Sequence, residues 1–172
     1  SAVAMAVLSL SGVHDGPLHD LWSVLMFGKD GEDHQRLRRR VNRRLTPRAV
    51  GALRPGTEAD SAELLAAWPS DGSVELWDAY AFPLVARTAC RLVGVPVEDA
   101  AVVGELALRV VRAFGILEPD AAADTEAAAV DLLAHLDGLV ERGAVVPGSI
   151  FADLLDDPQD LTDAEVRGLA AN

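Results

Sequence analysis

Apolar residues recur at helical spacing along most of this chain, and glycine and proline separate the segments in which they do so. The longest of these segments predict α-helices over residues 80–93, 97–114 and 121–141, with "GVP" and "GILEP" as breaks between them. A first helix is predicted over residues 2–10, and another in the stretch "GTEADSAELLAAWPSDG". The pattern therefore indicates a mainly helical protein.

Four positions carry the residues that commonly begin a helix. Asp30 is a suitable N-cap for the basic segment after it, and Thr46 followed by Pro47 has the form of an N-cap and a first helical residue. A further helix is predicted to begin at Ser149. At Thr162 the sequence "TDAE" has the form of a capping box. The helix predicted there continues for about two and a half turns to the last residue, so it resembles the first part of a longer helix.

One stretch, "SVELW", alternates apolar and polar residues, which predicts a short strand with Val74 and Leu76 on one side. Half of the residues are apolar and only 5% are aromatic, a composition that favours an all-α fold with at most this one strand. The length of 172 residues suits one domain or one lobe of a larger protein. We expect residues 1–172 to form a single partial domain.

The charge is unevenly distributed. The formal net charge is -12, yet nine of the fifteen basic residues lie between positions 29 and 54. Such asymmetry indicates either an anionic partner or a solvated helix surface. In so acidic a chain it argues against a nucleic-acid partner.

The other composition signals exclude several kinds of site. Cys90 is the only cysteine, so no internal disulfide is possible, and no Cys or His spacing indicates a metal site. The longest uncharged apolar run, residues 2–10, is too short to cross a bilayer and has no basic flank of the kind found in signal peptides. We therefore expect no metal, no membrane association and a cytoplasmic location.

The basic helix places two cations near its apolar side. With 100° between successive residues, His34 falls within the apolar stripe formed by Leu37, Val41 and Leu45, and Arg38 falls at the margin of that stripe. His34 and Arg38 are four residues apart, so both can reach the same inward-facing anion. Spacing alone leaves an alternative, in which Arg38 pairs with a carboxylate at the core edge and His34 only packs. Four other arginines are predicted to point to solvent: Arg36, Arg39, Arg40 and Arg43.

Three stretches resemble the bacterial cytochrome P-450 family. "DGEDHQRLRRRVNRRLTPRAVGALRPG" is similar to the C-helix region, "SVELWDAYAFPLVARTACRLVGVPVED" to the segment around the E helix, and "LTDAEVRGLAAN" to the start of the I helix. These stretches occur in the family's order over most of the chain. The resemblance implies a partial cytochrome P-450 fold, from the B-helix region to the start of the I helix.

The resemblance also implies functional roles. His34 and Arg38 would contact the haem propionates, and Val24, Leu25 and Met26 would be candidates for substrate contact, with core packing as the alternative for each. The parent enzyme would be a monooxygenase that acts on a small apolar secondary metabolite. Its ferredoxin-type redox partner would dock on the four outward arginines, or these form a merely solvated face.

Several parts that the family needs for activity do not occur in these 172 residues. They are the haem-ligating cysteine loop, the I-helix acid/alcohol pair and the Glu-x-x-Arg of the K helix. Cys90 lies in an apolar helical run without the flanking glycines, so we expect an inert core thiol. We therefore expect no catalytic residue in this chain and no haem bound by it alone.

Two other functions remain open. One is a natural haem-free P-450-like protein that keeps the helical half as a binding or activator module in a biosynthetic pathway, a role that a stable monomer or homodimer of this length would favour. A segment of a larger enzyme would instead expose an apolar face and self-associate. A helical DNA-binding regulator is the weakest hypothesis because of the net charge.

Overall fold

The computed structural model describes residues 2–171, except for the side chain of Ala2. These residues form ten α-helices joined by short turns. The helices are α1 (Ala2–Leu10), α2 (Pro17–Val24), α3 (Gly31–Asn42), α4 (Pro47–Gly51), α5 (Arg54–Ala66), α6 (Phe82–Val93), α7 (Ala100–Val111), α8 (Pro119–Glu141), α9 (Ile150–Asp156) and α10 (Asp163–Ala171). Three single 3₁₀ turns accompany them, at Met26–Gly28, Val97–Asp99 and Arg112–Phe114.

The predicted strand at residues 73–77 is wrong, since residues 2–171 contain no strand. Val74 and Glu75 are irregular, and a π-helical turn over Trp77–Ala81 leads directly into α6. The Glu75 carboxylate accepts a hydrogen bond from the backbone N–H of Asp78 at 2.7 Å, which satisfies one of the free donors at the start of this turn. Alternation alone cannot make a strand where no second strand supplies the ladder.

The predicted helix starts are confirmed. Thr46 Oγ1 accepts a hydrogen bond from the Ala49 N–H, and Ser149 Oγ accepts one from the Ala152 N–H, each at 3.2 Å. Asp30 has the extended backbone conformation of an N-cap residue before α3. These local signals were readable because a cap and its partner lie within three residues of each other.

Two groups of buried side chains hold the helices together. The first joins α3, α6, α9 and α10 through side chains such as Leu37 and Phe151, both fully buried. The second joins α1, α2 and α7 and includes Leu8 and Trp22. The long helix α8 contributes to both groups, with Leu136 in the first and Leu132 in the second. Helix α3 is therefore fixed against α9 and α10, and this contact sets the geometry of the candidate site.

Candidate cofactor-contact helix

Helix α3 carries the predicted site residues. Leu37 and Val41 are buried, with 0% and 9% of their surface exposed, as the predicted apolar stripe requires. The stripe does not extend to Leu45, which is 44% exposed because α3 already ends at Asn42. His34 is half-buried beside it, and its Nδ1 lies 3.0 Å from the backbone oxygen of Met26. A carbonyl oxygen only accepts, so His34 Nδ1 is the donor and carries a proton in this contact.

Arg38 lies on the exposed side of α3. It makes no hydrogen bond or ion pair with the described residues, so the carboxylate partner considered as an alternative is not found among them. A guanidinium cannot lose its proton near neutral pH and remains a donor for an anion. The structure thus leaves Arg38 open one helical turn from His34, although it is less inward-facing than the spacing suggested.

The prediction that four arginines point to solvent is wrong for two of them. Arg40 is only 8% exposed, and its Nη2 donates to the backbone oxygen of Asp157. Arg36 is mostly covered, with its Nη2 donating to Glu165 Oε1 at 2.5 Å. The reason is that the segment between α9 and α10 lies against this side of α3, which a helical wheel cannot show. Arg39 and Arg43 are exposed, as predicted.

Glu165 is the centre of these contacts. Its Oε2 accepts a hydrogen bond from the Thr162 N–H at 3.0 Å, while Thr162 Oγ1 accepts from the Glu165 N–H at 3.2 Å, which confirms the predicted capping box. The hydrogen bond from Arg36 is the main reason that the pKa of Glu165 lies below its usual range. One carboxylate therefore caps α10 and ties it to α3.

Another ion pair, between Arg44 just after α3 and Asp153 of α9, is not indicated by the sequence. Arg44 donates to Asp153 through Nε at 2.5 Å and through Nη2 at 2.6 Å, a two-pronged contact. These hydrogen bonds lower the pKa of Asp153. The two residues are 109 positions apart, so no local pattern indicates that they meet.

The three candidates for substrate contact occupy different environments. Leu25 is 3% exposed and belongs to the core around α1, α2 and α7, as the alternative interpretation expected. Val24 lies beside α10, where a Cβ added at Gly168 would come within 2.8 Å of its Cγ2. Met26 lines an apolar groove. Val24 and Met26 thus border open space in two different pockets, whereas Leu25 is buried.

This apolar groove has a volume of about 340 Å³ and is lined by side chains from α3 and from α6 to α10. Met26, Leu45 and Leu136 lie in its wall together with Cys90. Burial raises the pKa of the Cys90 thiol to about 11, with a smaller contribution from Asp99. Cys90 is therefore a protonated thiol at neutral pH, which does not suit an axial haem ligand.

Residues 2–171 contain neither a metal-binding cluster nor a membrane-spanning helix. No group of three or more His, Cys, Asp or Glu side chains in this part of the chain is placed to hold a metal ion. None of its helices is long and apolar enough to span a membrane.

Comparison with known proteins gives one family. No family model matches the chain. It is 31% identical over 149 residues to 6-deoxyerythronolide B hydroxylase of Saccharopolyspora erythraea, a match that covers 87% of this chain and 36% of the relative. It is 35% identical over 124 residues to vitamin D(3) 25-hydroxylase of Pseudonocardia autotrophica, covering 72% of this chain and 29% of the relative.

Solved structures agree. CalO2 has a TM-score of 0.84 at 23% identity, and the match covers 99% of this chain and 47% of CalO2. The P450 monooxygenase TamI bound to tirandamycin C has a TM-score of 0.67 at 36% identity, covering 87% of this chain and 37% of TamI. This chain belongs to the cytochrome P450 family.

The relationship is partial. Luteothin monooxygenase of Streptomyces thioluteus is 27% identical over 169 residues, which are 96% of this chain but 41% of the relative. The chain thus spans less than half the length of the P450 relatives named here, and it corresponds to an N-terminal part of the P450 fold. The all-α, partial P450 fold predicted from the sequence is confirmed.

Proposed function

We propose that this chain is the N-terminal part of a cytoplasmic cytochrome P450 monooxygenase and that His34 and Arg38 contact the two haem propionates. The observation that carries the proposal is the open guanidinium of Arg38 one turn from the half-buried ring of His34. A guanidinium and a ring nitrogen suit carboxylates through charge-assisted hydrogen bonds.

The residues present fit one part of haem and not another. His34 and Arg38 suit the propionates, but the protonated, buried Cys90 does not suit the iron. Haem would supply the oxygen chemistry in the parent enzyme, where a thiolate ligand supports O–O cleavage. These 172 residues are therefore proposed to contact haem without activating oxygen.

A spectroscopic experiment tests this proposal. Haemin is added to the purified chain, and the reduced CO spectrum is recorded before and after gel filtration, with Cys90→Ala as the matched variant. We expect no thiolate-type band, the same spectra for both proteins, and loss of haem on the column. A thiolate-type band that disappears in Cys90→Ala would show that the thiol does bind the iron. Intact mass spectrometry of the native protein would decide whether 172 residues are the gene product.

The substrate of the parent enzyme is proposed to be a small apolar secondary metabolite. The relatives include 6-deoxyerythronolide B hydroxylase and luteothin monooxygenase, whose names refer to 6-deoxyerythronolide B and to luteothin. In this chain, the open position of Met26 in the apolar groove supports a role in contact. Met26→Ala in the parent enzyme is expected to weaken substrate binding, measured by the substrate-induced spectral shift, whereas Leu25→Ala is expected to lower stability.

A ferredoxin-type redox partner is proposed to dock on the exposed arginines of α3. Arg39 and Arg43 remain accessible, while Arg36 and Arg40 are engaged by carboxylates and a carbonyl within the chain. Arg39→Glu is expected to reduce ferredoxin binding at low salt, and the difference from the unchanged protein is expected to shrink as salt increases. If the binding constant for ferredoxin changes neither with the Arg39→Glu substitution nor with the salt concentration, the exposed arginines form only a solvated face.

The isolated chain is proposed to self-associate through an apolar face at the start of α6. Leu76, Trp77 and Val85 are 56%, 54% and 68% exposed, respectively. Exposed apolar side chains in one region favour association. Sedimentation velocity is expected to show concentration-dependent oligomers that Val85→Glu reduces.

The alternative function, a haem-free helical binding or activator protein, is favoured by the protonated state of Cys90 and by the apolar groove. It predicts a stable monomer or defined dimer that does not respond to haemin. Sedimentation therefore separates the two functions, because a P450 segment is expected to give concentration-dependent oligomers instead.

A further inference from the structure

The hydrogen bond of His34 joins two features that the sequence analysis treated separately. His34 is a candidate for cofactor contact, and its Nδ1–H donates to the backbone of Met26, a candidate for substrate contact. In a neutral imidazole only one ring nitrogen carries a proton. With Nδ1 as the donor to Met26, the second nitrogen, Nε2, of neutral His34 has a lone pair and cannot donate.

The backbone around Met26 is fixed by close packing. Met26 lies in the 3₁₀ turn Met26–Gly28, and a Cβ added at Gly28 would come within 2.4 Å of the backbone oxygen of Trp22. Trp22 is 1% exposed, and its ring meets that of Phe27 edge to face at a centroid distance of 4.9 Å. The Met26 carbonyl is therefore held in place by the core, and it fixes the tautomer of His34.

The helices near His34 and near the Met26–Gly28 turn carry several charged residues. Helix α1, which contacts the 3₁₀ turn, has no titratable side chain, and α2 contributes a histidine and an aspartate that face each other at 3.5 Å. Helix α10 contributes Glu165, which forms an ion pair with Arg36. Besides His34, the titratable and charged residues of α2, α3, α10 and the two positions before α3 are His19, Asp20, Lys29, Asp30, Glu32, Asp33, Arg36, Arg38, Arg39, Arg40, Asp163, Glu165 and Arg167.

We propose that His34 binds a carboxylate through Nε2 only as an imidazolium, so that anion binding at His34 and Arg38 takes up one proton. This inference rests on the proposed haem-propionate contact. The lone pair of neutral His34 faces the anion and repels it, whereas the doubly protonated ring donates to Met26 and to the carboxylate together. Once the free ring is neutral, binding then weakens by about tenfold for each unit of pH increase.

Nuclear magnetic resonance of the 172-residue chain with ¹⁵N-labelled histidine tests the first step without any ligand. Long-range proton–nitrogen spectra report which ring nitrogen carries the proton in neutral His34. We expect the proton on Nδ1. In Gly28→Ala the displaced turn is expected to give a mixture of tautomers, while the exposed His14 stays unchanged as an internal control. A neutral His34 protonated on Nε2 overturns the inference and leaves the proposed function standing.

The second step uses tin(IV) mesoporphyrin as a diamagnetic dicarboxylate probe, with its dimethyl ester as the matched control. Chemical-shift titrations between pH 6 and pH 9 measure even weak binding. The acid is expected to bind with the tenfold slope, and both nitrogens of His34 are expected to stay protonated in the complex. The ester is expected not to perturb His34.

Two variants separate the possible outcomes. His34→Gln presents an amide donor at every pH, so it is expected to bind the probe with no pH dependence. Arg38→Ala is expected to weaken binding at every pH and to keep the slope. Binding by the unchanged chain without a pH slope overturns the inference. Failure of the probe to bind, or equal binding of the ester, overturns the proposed propionate contact instead.

Discussion

Helix α3 has two basic sides that differ in what their charges meet. On the side toward α9 and α10, Arg36 forms a close ion pair, Arg40 is buried against a carbonyl oxygen, and Arg44, just after the end of the helix, pairs with Asp153. On the other side, Arg38 and Arg39 are exposed and have no partner among the described residues. The same residue type thus stabilises the fold on one side and remains available to other molecules on the other.

This difference shows that the number of arginines on a helix does not indicate how many of them are available to bind a partner. A buried arginine needs a nearby anion or acceptor because an unpaired charge away from water is costly. Arg40 meets this need incompletely, since its Nε and Nη1 are buried without a hydrogen-bond partner and Asp157 Oδ2 lies 3.7 Å from Nη1. Only the open side therefore offers arginines that are unpaired within residues 2–171 to the haem carboxylate and the redox partner proposed above.

The largest expected effect comes from Glu165→Ala, which removes the carboxylate shared by Arg36 and the N-cap of α10. We expect a loss of about 3 kcal/mol in the free energy of unfolding, because a mostly covered arginine loses its partner and α10 loses half of its capping box. Urea denaturation followed by circular dichroism measures it. Glu58→Ala, which removes an exposed pair with Arg54, is the control and should cost at most about 0.5 kcal/mol.

At low pH, the ion pairs on the side of α3 toward α9 and α10 are expected to contribute less to the free energy of unfolding. The pKa values of Glu165 and Asp153 are lowered by their hydrogen bonds to Arg36 and Arg44, so their stabilising effect is present above the usual carboxyl value of about 4 and is lost as pH falls below it. Arg36→Met should therefore cost about 2 kcal/mol at pH 7 and much less in acid. A penalty that stays constant down to pH 3 would contradict the assigned pairs.

How much of this could be read from the sequence depends on the distance between partners along the chain. Caps such as Thr46 and Thr162 were predictable because the acceptor and its donor are three residues apart. The buried stripe of α3 was predictable from periodicity. The contacts of Arg36 with Glu165 and of Arg40 with Asp157 span 129 and 117 positions, and no local pattern contains them.

The same limit explains the wrong strand and the groove that sequence reasoning missed. Alternation at Val74 and Leu76 is a local property, but a strand requires a partner from elsewhere in the chain. The apolar groove is formed by six helices, so its existence depends on how they pack. His34 was predicted within the stripe and is half-buried, and its bond to Met26 depends on the shape of an intervening turn.

A smaller effect is expected from Arg44→Ala, which breaks the pair with Asp153. Both side chains are more than a third exposed, at 36% and 39%, so water screens the attraction and we expect a loss of about 1 kcal/mol. Thermal unfolding at low and high salt measures it. Arg48→Ala, an exposed arginine without a partner among the described residues, is the matched control. Equal stability of the two variants would mean that the pair adds nothing.

The smallest effect on stability is expected from Arg38→Ala on the open side, within about 0.5 kcal/mol of the unchanged protein, because the side chain has no hydrogen bond or ion pair with residues 2–171 to lose. Its effect should appear instead in binding, as weaker association with a dicarboxylate porphyrin. Denaturation and porphyrin titration of the same protein separate the two. If Arg38→Ala lowers stability as much as Arg44→Ala does, the two sides of α3 do not differ as proposed, since both sets of arginines would then stabilise the fold.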